Sequence, residues 1–259
     1  MWLPDVILHS MPHLVSRLAL LALATPLLAA SMLAAGPAFP KGEYTPASLG
    51  PKEPDLEINF PGSALAHAIP KGSAVVGILV NADGKAAYLL VVNCTDPAFG
   101  KALLDAVGSL TFAPARFKGV PVPARFHIKY QFSPPAKSIA VNAVEAATIR
   151  ANSLQAPVVY AAVAESKLDQ PLEFIQSAVP GLPAGYRPAG EQRVMLAVTF
   201  YVDAEGRVRA PNVESAPAPE LIAPMIEAVR EWTFTPPRFK GKPVLVFASR
   251  LVGFRAATP

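Results

Sequence analysis

The feature that most constrains this chain is a string that occurs twice. Phe112-Ala113-Pro114-Ala115-Arg116-Phe117-Lys118-Gly119-Val120-Pro121-Val122 returns 122 residues later as Phe234-Thr235-Pro236-Pro237-Arg238-Phe239-Lys240-Gly241-Lys242-Pro243-Val244. A repeat has to be read before any single motif, because it sets the number of folding units. At 259 residues the chain has room for two small domains, each with a modest core, and the repeat favours two.

The same offset organises what precedes the string. Ser73 to Val80 is a near-continuous apolar run, followed by Asn81-Ala82-Asp83-Gly84 and a second run from Lys85 to Val92. Val194 to Val202, Asp203-Ala204-Glu205-Gly206 and Arg207 to Val213 repeat the pattern. Two apolar runs around a short turn closed by glycine predict a hairpin, since glycine accepts the positive φ the turn demands. Pro211 cannot donate a ladder hydrogen bond, which marks its strand as an edge or a bulge. Next, Phe99, Leu103, Ala106, Val107 and Leu110 form one stripe of a helix, reproduced by Leu221, Met225, Ala228, Val229 and Trp232. Asp96-Pro97 and Ala218-Pro219 suit helix starts. Pro224, about one turn further in, predicts a restart or a kink.

After each string comes a last strand. Val122, Ala124, Phe126, Ile128, Tyr130 and Phe132 point one way, and Arg125, His127, Lys129 and Gln131 the other, the period of a strand with one wet face. In the second copy Val244, Val246 and Phe254 keep the inner face. Leu245, Phe247 and Leu251 make the outer face apolar too, so it needs a cover from the other repeat, the linker or a partner.

The unit is therefore strand, strand, helix, strand. A short helix crossing the sheet leaves the second and third strands parallel, and the first strand, apolar on both faces, belongs in the centre. The expected fold class is α+β: two small two-layer domains, each a three-stranded antiparallel sheet of order 2-1-3, a split βαβ, with a helix on one face. The third strand is then an exposed edge able to recruit an extended peptide, and a proline at Ile128 is expected to block such capture. Phe112, Trp232 and Phe234 read as core residues closing the helix onto the sheet, and Gly119 and Gly241 as turn residues.

The remaining segments set boundaries. Residues 1–38 read as a signal peptide or an N-terminal anchor: Arg17 precedes an uncharged run from Leu18 to Gly36, ending in Gly36-Pro37-Ala38. Residues 39–71 form an extended lead-in, 72–132 the first domain, 133–157 a linker and 158–259 the second domain. Pro171-Leu172-Glu173 loosely echoes Pro54-Asp55-Leu56-Glu57. The 29 prolines favour short strands and connectors over long helices. A net charge of +4, with no dense basic tract, argues against nucleic acid as a partner. Cys94 is the single cysteine and reads as a small buried hydrophobe. After residue 38 the histidines are His67 and His127. No metal-ligand spacing, phosphate loop or nucleophile motif accompanies them, so no catalytic residue, metal or cofactor is expected.

One constellation resembles a known family. Asp203, Gly206, Val208, Ala228, Val229, Trp232, Phe234, Pro236, Arg238, Gly241, Lys242, Pro243, Val244 and Phe254 follow the pattern of the C-terminal domain of the TonB family. The first copy is a degenerate version, with Leu110 in place of the tryptophan and Val120 in place of the lysine. The resemblance implies a periplasmic α+β module that binds the extended "box" peptide of TonB-dependent outer-membrane receptors by strand addition. It makes Arg116, Lys118, Arg125, His127 and Lys129 candidate partner-binding residues of the first copy. In the second copy they are Arg238, Lys240, Lys242, Val246, Ala248 and Arg250. The chain departs from the family in its tandem copies, in an apolar run without an internal histidine and in a short lead-in. Three readings follow: a periplasmic peptide-binding adaptor; a membrane-anchored energy transducer, which needs residues 18–36 uncleaved in the inner membrane; and an envelope structural protein whose repeats pack on each other or form a homodimer.

Overall fold

The computed structural model describes residues 39–50, 58–66, 69, 71–133, 160–188 and 194–255. The expected signal or anchor, Pro54-Asp55-Leu56-Glu57, His67 and nearly all of the expected linker lie outside the described residues. The lead-in holds β1 (Tyr44–Thr45), β2 (Ser48–Leu49) and α1 (Gly62–Ala66). The first repeat runs through β3 (Gly72–Val80), β4 (Ala86–Cys94), α2 (Pro97–Val107), β5 (Phe112–Ala113), β6 (Ala115–Phe117), β7 (Val120–Val122) and β8 (Ala124–Phe132). A connection follows, with β9 (Tyr160–Ala161), β10 (Val163–Ala164), a 3-10 turn at Glu165–Lys167 and β11 (Phe174–Gln176). The second repeat comprises β12 (Met195–Val202), β13 (Val208–Ser215), α3 (Ile222–Arg230), β14 (Thr233–Phe234), β15 (Arg238–Phe239), β16 (Lys242–Pro243) and β17 (Val246–Gly253).

The chain is mixed α+β, with mainly antiparallel sheets. Glycine makes each hairpin possible. Gly84 and Gly206 sit at φ +80° and +84°, and their amides donate to Asn81 and Asp203 carbonyls at 2.9 Å. Their own carbonyls accept from Phe112 N at 3.3 Å and Phe234 N at 2.7 Å. A Cβ would lie 2.5 Å from the Phe112 oxygen at Gly84 and 2.0 Å from that of Phe234 at Gly206. Hairpin turn and repeated string are built onto each other, which is the physical reason that both recur at one offset.

The large sheets run β8-β3-β4-β9 and β10-β17-β12-β13. In each, the first strand of the repeat is antiparallel to both long neighbours. Each sheet has four strands where the sequence suggests three, because the connection contributes one. β9 adds antiparallel to β4, and β10 adds parallel to β17. Pro211 lies where β13 slips register against β12, and β13 is an outer strand, so the proline costs no interior ladder bond.

The helices keep their stripes. Asp96 caps α2 by accepting from Ala98 N at 2.8 Å, and Phe99, Leu103 and Val107 are buried beneath it. The second helix begins as a 3-10 turn at Pro219–Leu221 and restarts at Ile222, which places Pro224 in the first turn where its missing N–H has no helical partner to lose. Phe112, Trp232 and Phe234 are buried, and the Trp232 indole donates to the Ala178 carbonyl at 2.7 Å.

The lead-in is more than a tether. β1 pairs with β6 and β2 with β5, while β11 pairs with β14. Thr45-Pro46-Ala47-Ser48-Leu49 thereby occupies the place that Gln170-Pro171-Leu172-Glu173-Phe174 takes in the second repeat, with Ala47 and Leu172 both buried. Among the described residues, the structural counterpart of Pro171-Leu172 is Pro46-Ala47.

The described residues belong to one compact unit that contains both repeats. The sheet faces opposite the helices meet, with β13 lying against β3, β4 and β8. Val92 from the first repeat and Tyr201, Ala210 and Leu245 from the second make a shared apolar cluster. Burying Tyr201 and Leu245 there contributes about 2 kcal/mol each. This packing supplies the cover that the apolar outer face of the second repeat requires at Leu245. Leu251, farther along, remains 67% exposed.

Candidate functional site

The site is the outer edge of β8, and the direction of its backbone groups follows from a single residue opposite it. Ser73 N donates to Thr95 Oγ1 at 2.9 Å, and the Ser73 carbonyl accepts from Thr95 N at 3.0 Å. Both groups of Ser73 therefore face β4, so its pair with Gln131 exchanges no hydrogen bonds. Antiparallel pairs alternate, so the same holds for Val75 with Lys129, Gly77 with His127 and Leu79 with Arg125. The amides and carbonyls of Arg125, His127, Lys129 and Gln131 consequently point away from the sheet.

Arg125 verifies the direction. Its amide donates outward to Asn212 Oδ1 of the second repeat at 2.9 Å. Beyond it, His127, Lys129 and Gln131 present three outward donor and acceptor pairs, and among the described residues no strand pairs with them. Lys129 is exposed, which suits an edge kept from pairing with its own copy and open to an acidic partner.

The side chains of the same strand divide by location. Arg125 has only 7% of its side chain exposed. Its guanidinium donates to Ala210 O at 3.0 Å, to Thr199 Oγ1 at 2.8 Å and to Thr199 O at 3.4 Å. It also lies 3.8 Å from Glu214 Oε1 and over the rings of Tyr201 and Phe247 at 5.2 and 5.4 Å. Burial lowers its pKa from the ordinary arginine value, and these acceptors keep it charged. His127 Nε2 lies 3.1 Å from Tyr201 Oη. Desolvation first, and the neighbouring Arg125 second, hold the imidazole pKa below its ordinary value, favouring the neutral ring. Arg125 and His127 thus join the two repeats, and Lys129 is left for a partner.

The repeated arginines and lysines hold hairpin tips. Arg116 Nη1 donates to Gly119 O and Arg238 Nη1 to Gly241 O, each at 2.8 Å. Lys118 and Lys240 sit at positive φ, +50° and +52°, beside Gly119 and Gly241 at +76° and +73°. The upstream segments clasp both tips. Lys118 N donates to Glu43 O at 2.7 Å, and the Asp169 carboxylate accepts from Lys240 N at 2.8 Å and Gly241 N at 2.7 Å. Lys118 Nζ also reaches Pro217 O at 3.2 Å. Lys242 is exposed on β16.

The edge of β17 differs. By the same alternation Leu245, Phe247, Ser249, Leu251, Gly253 and Arg255 face outward, and the chain itself meets this edge at both ends. Val163 N donates to Leu245 O at 2.8 Å, Arg255 N donates to Pro180 O at 2.9 Å, and Leu182 N donates to Arg255 O at 3.3 Å. Arg250 Nη1 donates to Ser249 O at 2.7 Å. An exposed third strand was expected in both repeats, and the second departs from it because the connecting segment lies along that edge. Val246 and Ala248 are 0% and 3% exposed; they belong to the inner face and offer a partner no side chain. Arg250 forms a two-pronged pair with Glu165, at 2.6 and 2.8 Å.

Asn212, Thr199 and Glu214, which receive Arg125, carry no signal in the sequence, since their partner lies on the other repeat. Cys94 is buried and its thiol pKa is raised by burial. Among the described residues no group of three or more His, Cys, Asp or Glu side chains could hold a metal ion, and no helix is long and apolar enough to cross a membrane. No protein-family model, no curated protein and no solved structure matches the chain.

Proposed function

We propose that the chain is an exported, non-enzymatic adaptor of the TonB kind, which captures an extended peptide of an envelope or outer-membrane transporter partner by strand addition on β8. The observation that carries this reading is the run of outward backbone groups at His127, Lys129 and Gln131, which no strand among the described residues pairs, in a sheet whose opposite edge strand, β4, is joined by β9 at Asn93 and Cys94. Main-chain hydrogen bonds supply affinity in strand addition, and alternate side chains supply selectivity. Lys129 favours a peptide with an acidic side chain at the facing position. A photo-crosslinking residue at position 129 tests the reading in cells. Crosslinks to an outer-membrane or envelope protein, lost when Gln131→Pro is introduced on the same strand, support it; the absence of any such crosslink in cells that export the protein sinks it.

A second reading rests on a different observation. The Arg125 cluster and the shared apolar face make the repeats each other's partners, as in an envelope structural protein with self-packed repeats. Slow hydrogen exchange at His127, Lys129 and Gln131 in the purified protein, with no peptide added, favours this reading, because it means that the edge is already covered. Periplasmic location rests on residues 1–38, and determination of the mature N-terminus checks it.

A further inference from the structure

We infer that residues 163–165 are a built-in ligand of the second repeat: they occupy the edge of β17 in the manner of a partner strand, and their release opens a second peptide site. This inference rests on the reading of the third strand as a peptide-binding edge. Three observations converge. β10 lies parallel to β17, with Val163 opposite Val246 and Ala164 opposite Phe247, and Val163 N donates to Leu245 O at 2.8 Å. Immediately after this short strand, Glu165 closes a two-pronged pair with Arg250, at 2.6 and 2.8 Å. The guanidinium carbon lies 5.9 and 5.7 Å from the ring centroids of Phe174 and Phe234. The site is thus complete: a parallel strand edge, then a guanidinium fork beside two aromatic rings that selects a carboxylate.

The first repeat lacks the latch. Ile128 stands where Arg250 stands at the offset of 122 residues, and it is buried in the inner face. The latch is therefore a property of the second repeat and not of the fold. Only two residues of β10 pair with β17, so the occupant is held by few bonds and by one ion pair that is 24% and 30% exposed. Such an occupant is displaceable by an extended segment with an apolar residue followed two positions later by a carboxylate, the chemistry that Val163 and Glu165 display.

The test uses the full chain and a synthetic peptide of its own residues, Tyr160 to Leu168, as the probe. Val163→Pro removes the strand donor and Glu165→Ala removes the carboxylate. The double variant should bind the added peptide at least about tenfold more tightly than the wild type, because an occupied edge lowers apparent affinity by the fraction that is open. The Arg250 side chain should be needed: the probe carrying Glu165→Ala should lose that gain. Hydrogen exchange at Phe247 should quicken in the double variant and slow again with the probe. Equal binding by wild type and variant overturns the inference, as does a folded variant, with unchanged Trp232 fluorescence, that ignores the probe. Crosslinking at position 129 reads β8 separately. Its failure alone counts against strand capture by the first repeat, and failure of the probe alone counts against the latch.

Discussion

Arg125 shows how far a residue's role depends on what faces it. On its strand it is one of four alternating polar residues, and alternation alone sends it to solvent. Against the second repeat it becomes the polar centre of an interface. Arg125→Ala removes the donor to Thr199 and Ala210 and the cation beside Glu214 and should destabilise the chain by about 3 kcal/mol, read from urea unfolding. Arg125→Lys should recover only part of this, since a lysine cannot present the fork. His127 gives a pH dependence with a definite sign. Its folded pKa lies below the ordinary value of 6.5, so the unfolded chain binds the proton more readily and the folded chain loses stability as it is acidified. This contribution is fully present above pH 6.5 and is lost as pH falls through the lower folded value. The melting temperature should drop through that window, and His127→Asn should flatten the fall.

At the scale of elements, β8 and β17 occupy equivalent places in equivalent sheets, yet among the described residues only β17 has a further strand added along its outer edge. The difference lies in the connection, which runs beside β17 and spends its backbone groups there. The orientation of β8 also sharpens what a proline can test. The sequence suggests Ile128→Pro as the blocking substitution, but Ile128 bonds inward to Val76 across the ladder, so a proline there breaks the sheet. Lys129→Pro removes an outward donor and leaves the β3 ladder whole. Lys129→Pro should abolish peptide capture while the melting temperature changes little, and Ile128→Pro should lower the melting temperature strongly. Equal thermal damage by both would mean that the outward assignment of Lys129 is wrong.

Across the whole molecule, the repeats share buried surface and a polar cluster, so they are expected to unfold together. Trp232 reports the second repeat, where its indole is buried and bonded to Ala178. Leu103, fully buried under α2 in the first repeat, is distant in sequence and belongs to the other half. Leu103→Ala should cost about 3 kcal/mol through the cavity it leaves. In a cooperative molecule the Trp232 fluorescence transition moves to lower denaturant by the corresponding amount. An unmoved transition would mean that the halves unfold independently.

Much of this fold was legible because local rules are strong where residues act on neighbours in sequence. The glycines of the turns, the Phe99 to Val107 stripe, the restart forced by Pro224 and the alternation from Val122 to Phe132 each follow from backbone sterics or periodicity. The repeat carried these rules to the second half without further information. The tertiary structure alone decided which polar residues are spent inside. Arg125 meets Thr199, Asn212 and Glu214 more than seventy residues away, and Glu165 meets Arg250 across 85. Pairings of that kind depend on how two faces and one connecting strand come together in space, and the residues on either side carry no mark of the partner. By itself the sequence determined a repeated unit with a third strand at its edge. Long-range packing decided that, among the described residues, the chain adds a strand to one such edge and none to the other.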